Sequence, residues 1–87
     1  MAEANILILN TDSKSSEYIN SLLEGEGYIV NSYNDTDSFL IALEEKSFDL
    51  ILIDMESKNI NGIELCKKIR SDFMLRHIPI MLFVEKQ

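Results

Sequence analysis

The sequence predicts an α/β domain of three layers, with helices on both faces of a parallel sheet and elements in the order β-α-β-α-β-α-β. Three observations carry this. The apolar runs Ile6–Leu9, Leu50–Ile53 and Ile80–Val84 are continuous rather than alternating, as strands buried on both faces require. The stretches between strands carry apolar residues at steps of three and four, the helical period. Ahead of each such stretch stand Asn, Asp, Thr or Ser, the residues that cap helices.

The first run breaks at Asn10-Thr11-Asp12-Ser13, where Asp12 or Ser13 can cap a helix. That helix carries Tyr18, Ile19, Leu22 and Leu23 on one stripe and is expected to end at Gly25 or Gly27. Tyr28-Ile29-Val30 opens a second strand, running to about Tyr33. Caps at 34–37 introduce a second amphipathic helix with Phe39, Leu40, Ala42 and Leu43, ending near Lys46. The third strand, Leu50–Ile53, stops on Asp54 and a polar loop, 55–61, follows. Asn61-Gly62 reads as a hairpin turn in isolation, but Ile63, Cys66, Ile69 and Phe73 then step by three and four, so Asn61 is read as a helix N-cap. Pro79 precedes the fourth strand, 80–84. Parallel strands joined this way need right-handed crossovers, and functional groups gather beyond their carboxyl ends. Those ends hold Asn10-Thr11-Asp12, Asp54-Met55-Glu56 and Val84-Glu85.

At 87 residues the chain suffices for one small domain. The formal net charge of −7 argues against non-specific binding to nucleic acid or to anionic membrane surfaces, which need a basic face. One cysteine cannot form an internal disulfide, and no run approaches a membrane span or a signal peptide. The expectation is a cytoplasmic setting.

"ILILNTD" at 6–12, "EGYIV" at 26–30, "FDLILIDMESKNINGIELCKKIR" at 48–70 and "IPIML" at 78–82 together resemble the receiver domain of two-component response regulators, the CheY-like family with a flavodoxin-like fold. The resemblance covers essentially the whole chain. It implies a fold of five strands and five helices with sheet order 2-1-3-4-5, of which residues 1–87 would be the front part, an incomplete receiver domain stopping after the fourth strand.

The resemblance also implies a site. A receiver takes a phosphoryl group from a histidine kinase onto an aspartate, with Mg²⁺ clamping the phosphoryl oxygens and moderating the repulsion between anions. By position the acceptor is Asp54, and Glu56 supplies the backbone carbonyl two residues on. The family's acidic pair falls on Asn10 and Thr11, both neutral, with Asp12 one position late. The hydroxyl after strand four falls on Val84, the small residue after it on Glu85, and the loop proline on Lys58. Losing a metal carboxylate and a phosphoryl hydrogen-bond donor is expected to cost at least about a hundredfold in rate for each group. The expected site is therefore degenerate: Asp54, Asp12 and Glu56 as weak metal ligands, Asn10, Thr11 and Val84 as altered positions, and Mg²⁺ binding weak or absent.

Each residue also has a bland reading. Asp54 would be an inherited strand-end carboxylate, Asp12 a helix N-cap, Glu56 a solvated loop charge and His77 an exposed loop residue. Cys66, on a stripe with Ile63 and Ile69, would be buried core, and Gly62 would meet a backbone constraint. No nucleophile–base pair, zinc spacing or glycine-rich phosphate loop occurs, so an enzyme in its own right is not expected.

Three functions compete. The first is a pseudo-receiver acting by protein–protein interaction. The second is a phosphoacceptor, phosphorylated on Asp54 by a histidine kinase in a phosphorelay. The third, with no specific residue behind it, is a small flavodoxin-like ligand binder. The implied partners are a histidine kinase or downstream signalling protein and the output domain of a longer parent chain. In isolation strand 80–84 would be an apolar sheet edge, so a dimer or swapped oligomer is expected.

Overall fold

A computed structural model describes residues 3–55 and 60–84. The elements are β1 (Asn5–Leu9), α1 (Ser13–Gly25), β2 (Ile29–Tyr33), α2 (Thr36–Glu45), β3 (Leu50–Asp54), α3 (Gly62–Ser71) and β4 (Ile80–Phe83). The sheet order is β2-β1-β3-β4 and each neighbouring pair is parallel. This is the α/β arrangement that the sequence predicts. β1 sits inside, so Ile6, Leu7, Ile8 and Leu9 are all buried, which is why that strand reads as a continuous apolar run.

The strand pleat divides the core. Leu7, Leu9, Ile51 and Ile53 point to one side and pack with Phe39, Ala42 and Leu43 of α2 and Leu65 and Ile69 of α3. Ile6 and Ile8 point to the other side, where α1 lies. Ser32, in register with Ile8, shares a hydrogen bond of 3.1 Å with Ser16 of α1 and donates to Asn20 Oδ1 at 3.0 Å. One helix on one face and two on the other give the three layers.

All three N-caps fall on residues that the sequence offers. Asp12 accepts from the Lys14 and Ser15 amides, Asp35 from Ser38 and Asn61 from Glu64. α1 stops at Gly25, and Gly27 takes the positive φ of +91° that turns the chain into β2.

Three details differ from expectation. The buried side of α3 is Gly62, Leu65 and Ile69; Ile63 and Phe73 are exposed and Cys66 is only half-buried, so Ile69 alone of the Ile63–Cys66–Ile69–Phe73 stripe reaches the core. On α1, Tyr18 and Leu22 are exposed while Ile19 and Leu23 are half-buried. β4 ends at Phe83, leaving Val84 outside the strand.

Candidate functional site

In a parallel sheet every strand delivers its carboxyl end to the same rim. Leu9 is in register with Ile53, so the next residues, Asn10 and Asp54, stand side by side. Asp54 is in register with Phe83, which brings Val84 to the same rim on the other side. Two backbone bonds extend the ladder there: Asn10 N–H donates to the Tyr33 carbonyl at 3.0 Å, and Met55 N–H to the Phe83 carbonyl at 2.8 Å.

Asn10 and Asp54 are the buried polar residues of the described chain, at 2% and 3% exposure. Burial demands hydrogen bonds, and Asn10 has them. Its Oδ1 accepts the Asp12 backbone N–H at 2.9 Å, and its Nδ2 donates to Ser15 Oγ at 3.1 Å. Asp12 in turn uses Oδ1 to accept the N–H groups of Lys14 at 3.0 Å and Ser15 at 3.2 Å. Asn10, Asp12 and Ser15 thus form one local network that fixes the start of α1 against the rim. Ser15 was missed by sequence reasoning. The available signal was a hydroxyl in the first turn of a helix whose preceding strand ends on a buried amide.

The structure therefore gathers Asn10 and Asp54, with half-buried Thr11 next along the chain, and places Asp12 as a cap. Val84 is 62% exposed and offers only hydrocarbon where a hydroxyl is expected. Glu56, Lys58 and Glu85 lie outside the described residues. A Cβ on Gly62 would lie 3.1 Å from Met55 Sδ and 3.4 Å from Ile53 Cγ2. The constraint at Gly62 is therefore close approach beneath the loop, and no positive φ is involved.

A divalent hard cation wants several oxygen ligands, carboxylates above all. Among the described residues no group of three His, Cys, Asp or Glu side chains is placed to hold a metal ion. Among the described residues Asp54 stands beside a carboxamide whose Oδ1 accepts the Asp12 N–H, and Glu56, the third expected ligand, lies outside them. A second feature of the rim is an open polar cleft of about 420 Å³ between the starts of α1 and α2, lined by Asn10, Thr11, Ser32, Asn34, Asp35 and Ser38 among others.

A family model described as the response regulator receiver domain matches residues 6–87. Heme response regulator HssR of Staphylococcus epidermidis is 29% identical over 82 residues, covering 94% of this chain and 35% of the relative. The N-terminal domain of a response regulator receiver protein from Methanoculleus marisnigri superposes with a TM-score of 0.85 at 25% identity, over 93% of this chain and 66% of that one. The receiver domain of sensor histidine kinase PA1611 from Pseudomonas aeruginosa, with a magnesium ion coordinated in its active site cleft, gives 0.83 at 25% identity over the same shares. The chain thus spans about a third of its curated relative's length and about two thirds of these structural neighbours. Among the described residues no helix is long and apolar enough to cross a membrane.

Proposed function

Because the chain belongs to the response regulator receiver family, we propose that this receiver domain of two-component signalling is a pseudo-receiver, working through protein contacts without phosphorylation of Asp54. The observation that carries this reading is the Asn10 carboxamide, hydrogen-bonded at both ends, at the position beside Asp54 where a receiver is expected to hold an acid. Asp12, one residue late, is committed through Oδ1 to capping α1. The acceptor carboxylate is retained while the groups expected to activate it are replaced, and Mg²⁺ binding is weak or absent. The module turns nothing over by itself. Residues 1–87 act as an incomplete receiver domain whose partners are a histidine kinase or downstream signalling protein, and the output domain of a longer cytoplasmic parent. Neither nucleic acid nor membrane is a partner of this domain. In isolation it forms a dimer or swapped oligomer.

A second reading is favoured by one feature. Asp54 is buried at the strand end where a phosphoacceptor belongs. The two readings separate by intact mass after incubation with Mg²⁺ and acetyl phosphate, on wild type and Asp54→Asn. The pseudo-receiver gives no adduct on either. One phosphoryl group on wild type alone overturns it and makes Asp54 the site of a phosphorelay.

A further inference from the structure

At the amino end of the sheet, opposite the Asp54 rim, α2 and the segment entering β4 enclose a groove of about 470 Å³. Its floor is apolar, with Leu43, Phe48 and Ile78 buried beneath it. Glu44, Glu45 and Asp72 line it as well, against Lys46 and His77. Lys46 turns its Nζ to Asn31 Oδ1 at 3.4 Å, and neither the Glu44 nor the Glu45 side chain has a hydrogen bond or ion pair among the described residues. The groove is therefore an apolar slot whose border carries three acids, Glu44, Glu45 and Asp72, against one lysine.

The far wall is built rather than loose. Asp72 Oδ1 accepts the Met74 N–H at 2.8 Å, and the Asp72 carbonyl accepts those of Leu75 and Arg76 at 3.1 and 2.9 Å. Arg70 Nη1 donates to the carbonyls of Arg76 at 2.9 Å and Ile78 at 2.7 Å. On this wall Phe73 and Met74 are each 73% exposed, and the Arg76 guanidinium covers the Phe73 ring at 4.7 Å. Large apolar side chains held out on a braced turn beside a slot have the make-up of an interaction surface.

We propose that this groove docks a basic amphipathic protein segment. An apolar side chain of the partner enters over Leu43 between Met74 and Leu75, and flanking Lys or Arg residues meet Glu44, Glu45 and Asp72. Charge complementarity selects that occupant. A chain of net charge −7 with this acidic border repels acidic segments and anionic surfaces, and a purely apolar segment would leave the border unused. The inference rests on the reading of a surface-acting module and names the chemistry of its partner.

The test is an NMR titration of the whole chain with a short peptide carrying a leucine face flanked by lysines, and with its glutamate counterpart. The expected result is shifts concentrated at 43–48 and 72–78 for the basic peptide and none for the acidic one. The apparent Kd weakens about five- to tenfold in the doubly reversed E44K/E45K, and weakens with added salt. Both substituted positions are exposed, so unchanged spectral dispersion verifies the fold of the variant. No binding of the basic peptide, shifts elsewhere, or undiminished affinity in E44K/E45K would overturn the proposal. A phosphoryl adduct on Asp54 would overturn the pseudo-receiver reading and leave this titration unchanged, so the two failures are distinguishable.

Discussion

Asn10 Oδ1 accepts the backbone N–H of Asp12 at 2.9 Å, across the turn that carries β1 into α1. The other end of the same carboxamide donates to Ser15 Oγ at 3.1 Å. A carboxylate at position 10 keeps the acceptor and loses the donor. The amide lets the Ser15 hydroxyl accept, where an acid would need it to donate, and it does so next to a buried Asp54 without adding a second carboxylate.

Asn10→Asp therefore trades stability for cation affinity. The variant reverses the bond to Ser15, whose hydroxyl must now donate to a carboxylate, and places two carboxylates side by side in a buried rim, at an expected cost of about 1–3 kcal/mol. Mg²⁺ restores part of this by binding the new pair. Thermal melts with and without Mg²⁺ check it: the variant melts lower than wild type in the absence of the ion and gains more from its addition. Equal responses of the two proteins to Mg²⁺ would show that Asn10 is not what limits cation binding.

Asp12→Ala removes the α1 cap and exposes the amides of Lys14 and Ser15. The expected loss is about 1 kcal/mol, with Asp12→Asn within a few tenths of wild type because asparagine caps equally well. Urea denaturation of both variants decides the role of this residue. Were the carboxylate's charge needed for a bound cation, Asp12→Asn would lose Mg²⁺-dependent stability that the cap alone does not explain.

The strands and caps were legible because they answer to local physics. Ile6–Leu9 is apolar throughout since β1 is interior, and Asp12, Asp35 and Asn61 carry the right side chains ahead of helical spacing. The buried side of α3 was not legible. Gly62, Leu65 and Ile69 form one apolar line and Ile63, Cys66 and Ile69 another, and the period alone cannot choose between lines that differ by one residue. The choice is made in three dimensions, by the glycine that lets the start of α3 approach Met55 and Ile53. The position of Asp54 followed from strand pattern and resemblance. The engagement of Asn10 with Ser15 did not, because it depends on how α1 leaves the turn.

Gly62→Ala tests that approach. The added Cβ would meet Met55 Sδ at 3.1 Å and Ile53 Cγ2 at 3.4 Å, contacts tight enough to move one neighbour. The expected destabilisation is about 1 kcal/mol, because overpacking outweighs alanine's better helix propensity. Adding Met55→Ala removes the obstructing sulfur, so a double-mutant cycle in urea should show favourable coupling of about 0.5–1 kcal/mol. Strict additivity would mean that the sulfur simply swings aside.

β4 is an edge of the sheet and carries Ile-Met-Leu-Phe with no charge to guard it. Met81 is 57% exposed and Leu82 39%, one on each face, so the strand offers apolar side chains as well as backbone groups to another chain. Met81 pairs with Leu52, which shares the α1 side with Ile8, and Leu52 is only half-buried. The apolar surface on that side thus runs from β3 to the edge. Light scattering across a concentration series is expected to show self-association of the isolated chain. Met81→Lys should shift the transition to at least about tenfold higher concentration, because pairing would then bury a charge. Circular dichroism should stay unchanged, since the substituted side chain is largely in solvent. A monomer at every concentration, or a transition unmoved by the lysine, would place any association elsewhere than at this edge.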